Sequence, residues 1–180
     1  LTKESHFFAE LYQAYSAEIE DNRTDSEGKV VLQKRLNGLR SQFDGYLPMM
    51  EDNPEMVSVV FHDAFTFESR DMVRAAIGCD PDDAGFPSWS TLASTMTVAT
   101  WAAPFVDRAL ADETGDRFMV IAGCLEFIRA TDASKAAAVE PDADAHERPE
   151  GDEDGDGDEP GDLAEAGDDW LSQQGFDSQR

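Results

Sequence analysis

His62 and Asp63 are the dyad in this 180-residue chain whose side chains could do acid–base or metal chemistry together. An imidazole and a carboxylate that share a divalent cation can make its bound water a nucleophile near neutral pH. Such a centre needs further ligands. His6 upstream and Asp107, Asp112 or Asp116 downstream are the residues in the right order to supply them. The ordinary alternative is structural, because residues adjacent on a helix point to different faces and a His–Asp pair there is commonly a partly buried or surface couple.

The succession His6, His62–Asp63 and a downstream Asp resembles the centre of the HD phosphohydrolase family. These are all-helical enzymes in which an upstream His, a His-Asp pair and a later Asp hold divalent cations. The resemblance covers four positions and implies metal-dependent phosphoester hydrolysis. The flanks, Phe61-His62-Asp63-Ala64-Phe65, lack the Gly-Lys common after the dyad in that family. The chain is therefore expected to have no catalytic residues, no metal and no cofactor, with an HD-type metal phosphohydrolase as the alternative.

Asp152, Asp154, Asp156 and Gly157 match the opening of a calcium loop, where alternating carboxylates reach one cation and glycine lets the chain turn. The twelfth position is Leu163, not a bidentate Glu, and shifting the register to Asp154 places Glu159 where the glycine belongs. A solvated acidic linker is the better reading. The two cysteines lack metal-ligand spacing and make no disulfide framework, which points to a reducing cytoplasm. Cys124 lies in an apolar run and Cys79 precedes Asp80, so neither is expected to be a nucleophile. Phosphate-cradling glycine loops are absent.

Net charge is −25, from 39 acidic and 14 basic residues. Nucleic-acid binding through phosphate neutralisation is excluded on that balance. Residues 136–180 hold 16 of the acidic residues and two of the basic ones, with Leu163 the one large aliphatic between Glu140 and Asp169. Such a segment buries too little apolar surface to offset its ordering entropy and is expected to be a disordered acidic tail. Residues 1–135 are acidic as well, with only four lysines in the whole chain, a pattern expected of a halophile whose carboxylates stay hydrated in molar salt. No apolar stretch approaches the ~20 residues of a membrane span, and no membrane association is expected.

Apolar groups return at the end of the tail as Trp170, Leu171 and Phe176, after Asp168 and Asp169. A short helix capped by Asp168 and tethered by an acidic linker would present these three side chains to a groove on a protein partner. Self-docking onto the chain's own domain is the competing outcome, and simple exposure the third.

Hydrophobic spacing supplies the elements that would position these groups. Phe7, Phe8, Leu11, Tyr12, Tyr15 and Ile19 predict a first helix over 4–20, and Val31, Leu32, Leu36, Leu39 and Phe43 a second ending near Gly45. Asn53-Pro54-Glu55 reads as a helix start, leading into a central, deeply buried third helix to Gly78 with a break near 66–69. Ser88 is expected to cap a fourth helix through Ala103, ended by Pro104, although alternation across 95–100 admits a strand. Phe105 to Leu110 continue the helical pattern, and Asp116 is expected to cap a last helix to Ile128.

The expectation is all-α: one bundle of five or six helices over 1–135, then the tail. Function is expected to be non-enzymatic protein–protein contact, as adaptor, chaperone or assembly factor, with homo-oligomerisation open. Trp101 to Phe105, an acidic turn and Phe118 to Ile128 resemble helical redox-enzyme maturation chaperones of the TorD type, though without that family's acidic and histidine signature. A structural oligomer or viral assembly protein is equally compatible.

Overall fold

The structure, a computed structural model, describes residues 3–139. These are mostly helical: α1 (His6–Arg23), α2 (Leu32–Ser41), α3 (Phe43–Tyr46), α4 (Pro54–Ser58), α5 (Arg70–Ile77), α6 (Trp89–Ala93), α7 (Ala103–Leu110) and α8 (Gly115–Val139), with single 3-10 turns at Leu47–Met49 and Val59–Phe61. A two-stranded antiparallel sheet joins β1 (Phe65–Phe67) to β2 (Met96–Val98), with Phe65 opposite Val98, Thr66 opposite Thr97 and Phe67 opposite Met96. The acidic tail, the calcium-like loop and the Trp170, Leu171, Phe176 motif lie outside the described residues.

α8 is the axis of the fold. From Phe118 to Ile128 every residue is buried, because α1, α4, α5, α6, α7 and β1 all pack against it. An unbroken apolar run on a helix is what burial on all sides requires. The turn into α8 admits only glycine at its first position: a Cβ on Gly115 would fall 1.8 Å from the Ala109 carbonyl oxygen.

The sheet corrects the purely helical expectation, and it does so at two places at once. The expected third helix contains only α4 and a 3-10 turn before the chain reverses at Asp63, whose φ is +60°. Phe65-Thr66-Phe67 then runs extended, as aromatic and β-branched residues favour, and α5 begins separately. The expected fourth helix is likewise replaced by α6, β2 and α7. The break expected near 66–69 is the partner that a strand across 96–98 needs; paired, each strand requires only one inward face, and Phe65 and Met96 supply it. The expectation that the third helix is the central, most buried element fails, since α8 holds that place, although Val57, Val59, Val60 and Phe61 are all at 1% exposure or less.

Local signals were mixed in their outcome. Ser88 caps α6 by accepting from the Thr91 amide, and Ser5 does the same for α1 through Phe8. Asn53 occupies the cap position of α4, but its side chain makes no capping hydrogen bond there. Pro104 stands in the first turn of α7 and so begins a helix where it was expected to end one; its missing N–H costs nothing at that position. Asp116 lies inside the first turn of α8, and its carboxylate accepts from the amide of Trp89, at 3.1 and 3.2 Å, at the start of α6. α8 runs past Ile128 and Lys135 to Val139.

Candidate functional site

The turn at Asp63 brings the His–Asp pair against the middle of α8. His62 ends the 3-10 turn with its imidazole buried, and the left-handed Asp63 points its carboxylate outward. Two features hold the turn in place. Arg40 of α2 donates from Nε to the Val60 carbonyl at 3.0 Å and from Nη2 to the His62 carbonyl at 3.1 Å, while its guanidinium lies 3.9 Å over the Trp101 ring. From the other side, the Asp63 amide donates to Glu126 Oε2 at 2.9 Å.

Glu126 is the centre of the group. It is 2% exposed, in the all-buried stretch of α8. A carboxylate in such a place is tolerated only if its oxygens are hydrogen-bonded and its charge is met. Both conditions are satisfied. Oε1 accepts from the Tyr15 hydroxyl and from Arg129 Nε at 2.9 Å; Oε2 accepts from the Asp63 amide and from Arg129 Nη2 at 2.9 Å. A carboxylate has about four acceptor positions, and here four donors fill them. Arg129 is thus bidentate on Glu126, the strong fork geometry, and its Nη2 also reaches Asp63 Oδ1.

The electrostatics follow from that arrangement. Burial alone would lower the Arg129 guanidinium, but the hydrogen bond and charge of Glu126, aided by Asp63, raise it above its usual value. Burial raises the Tyr15 phenol well above its ordinary range, and the neighbouring Glu126 charge adds to this, so Tyr15 is a hydrogen-bond donor at all ordinary pH. His62 moves the other way: burial lowers it, against the pull of Glu126, and the ring is neutral at pH 7. Its Nδ1 lies 3.0 Å from Asp63 Oδ2, yet no hydrogen bond of good geometry forms and the atom has no other partner.

His62, Asp63 and Glu126 each bring a ligand atom within 4.8 Å of the others, and no other group of three His, Cys, Asp or Glu among the described residues does so. As a metal centre the set fits poorly. Every acceptor position of Glu126 is occupied, and the Arg129 cation already bridges the two carboxylates an ion would need. His6 stands apart, 84% exposed on α1 and paired with Glu10. Asp112 accepts from Thr114 in its own turn, Asp116 from Trp89, and Asp107 lies exposed on α7. The four positions of the HD resemblance are not brought together around one ion.

The sequence reading missed Glu126, Arg129 and Tyr15. A signal was present: Glu126 is the single charge in the run from Phe118 to Ile128, and Arg129 follows at i+3. Cys124 is fully buried as expected, and burial pushes its thiol far up.

Two grooves open on the surface. The first, about 570 Å³, has a floor of Phe7 and Leu11 from α1, Met50, and Phe118 and Ile121 from α8. Glu51, Asp52, Glu55, Asp82 and Glu113 stand around it, with Arg117 the one cation. The second, about 690 Å³, lies over Ile77, Phe127 and Ile128, and its rim mixes Glu4, Asp71 and Asp132 with Arg74 and Lys135. Among the described residues no helix is long and apolar enough to cross a membrane.

No family model, curated protein or solved structure matches this chain.

Proposed function

We propose that the chain is a non-enzymatic helical interaction module, an adaptor, chaperone or assembly factor. Its helical part contacts one protein, and Trp170, Leu171 and Phe176 dock on a second. The observation that supports this most is the saturation of Glu126: in the one cluster of three potential metal ligands among the described residues, its charge and its acceptors are committed within the fold. Apolar side chains floor two grooves away from it. The overall acidity fits a shell hydrated in concentrated salt, in a cytoplasmic protein that binds neither nucleic acid nor membrane.

The test is cross-linked capture in the native host, comparing the full chain with one ending at residue 159 and identifying the bound peptides. The module reading expects a defined partner on the full chain and its loss on truncation, with unchanged circular dichroism. Equal capture by both forms removes the tail motif. Phosphoester turnover that disappears in a folded His62→Ala variant replaces the module with the metal phosphohydrolase.

A further inference from the structure

The two grooves have apolar floors but different rims. In the second, the cations are matched locally: Arg74 Nη1 is 3.8 Å from Asp71, and Lys135 Nζ is 3.2 Å from Asp132. Glu4 alone is left without a counter-charge there. In the first, five carboxylates face one guanidinium, and that guanidinium is tied to Asp82 at 2.8 Å. Glu51, Asp52 and Glu113 are exposed, and their carboxylates make no hydrogen bond or ion pair among the described residues. The excess is thus a property of this groove and not merely of the −25 chain.

Below the rim, Phe7 and Leu11 sit one helical turn apart on α1, both half-buried, above the fully packed Phe118 and Ile121. Paired side chains at i and i+4 along a trough are what an opposing helix engages with its own apolar stripe.

We infer that the groove between α1, α4 and the start of α8 binds a lysine- or arginine-rich amphipathic helix of a partner protein. Its apolar stripe rests on Phe7 and Leu11, and its cations face Glu51, Asp52, Glu55 and Glu113. The unmatched rim sets the sign of the partner and speeds encounter, while the floor supplies contact that salt does not screen. This rests on the interaction-module reading and adds the partner's chemistry to it.

The probe is a fluorescein-labelled synthetic helix of about 16 residues, roughly 24 Å long, with leucines at i, i+3, i+4 and i+7 and lysines on the remaining face. Controls are the same leucine stripe with glutamates and a lysine peptide without the stripe. The full chain should bind the first and neither control. Replacing Glu51, Asp52 and Glu113 together by lysine should weaken binding by about tenfold or more. Reversing Glu20, Glu68 and Asp107, which line neither groove and change net charge equally, should leave affinity within about twofold. Equal loss from both triple variants, or equal binding of the stripe-free lysine peptide, overturns the inference in favour of unspecific charge attraction. No binding of the first peptide overturns it outright. If cross-linking still captures a partner, only the groove assignment falls; phosphoester turnover dependent on His62 removes the module reading as well.

Discussion

The clasp around Glu126 and the groove over Phe7 and Leu11 lie on the same helix, α8, and treat charge in opposite ways. In the clasp a carboxylate is 2% exposed and four donors from α1, the Asp63 turn and α8 itself close on it. In the groove, carboxylates stand in water with one cation among them. A buried charge must be answered inside the fold, and the answer fixes three segments to one another. Exposed charges can stay unanswered at small cost, so they remain free to meet a partner. The residues that look most chemical in the sequence are committed to contacts within the fold, whereas the less conspicuous rim carries carboxylates exposed to water.

Substitutions in the two regions should therefore differ in their cost. The largest effect is expected for Glu126→Ala, which strands a half-buried guanidinium and orphans two further donors; urea unfolding should show a loss of about 3–5 kcal/mol. Stability close to that of the parent would mean the clasp is not what joins the turn to α8. Tyr15→Phe keeps the ring in the core and removes one hydrogen bond to a charged group, for an expected loss of about 1.5–3 kcal/mol.

His62 adds a pH dependence. Its folded value lies below the unfolded one of about 6.5, so the unfolded chain binds the proton first as pH falls. Its contribution is complete above that value and is lost as pH drops through the folded one. Urea midpoints between about pH 7.5 and pH 5 should fall less steeply in His62→Gln than in the parent. A parallel decline in both would place the titration elsewhere. The smallest effect belongs to the groove: the Glu51, Asp52, Glu113 triple reversal should move stability by no more than about 0.5 kcal/mol per site, and upward if anything, since it relieves repulsion. A large loss there would make the rim structural and erase the distinction between the two regions.

Much of the fold could be read from residue spacing. The amphipathic α1, the Ser88 cap and the burial of Val57 to Phe61 follow from local periodicity and capping chemistry. The sheet could not, because β1 and β2 are three residues each and define one another across about thirty positions; neither is persuasive until the other is seen. Pro104 misled for a related reason, as a proline marks a helix start or a helix end depending on which neighbour is helical. At the site, His62–Asp63 was conspicuous as a pair, and Glu126 was conspicuous in principle as a lone charge in an apolar run. That Tyr15, Asp63 and Arg129 all reach Glu126 depends on long-range packing that no local pattern carries.

With four donors on its two oxygens, Glu126 has no acceptor position left for an ion. Equilibrium dialysis of the full chain against Zn²⁺ and Mn²⁺, compared with His62→Gln, tests it directly. No stoichiometric ion that depends on His62 is expected. One ion per chain, bound by the parent and lost in His62→Gln with the fold intact, would contradict it.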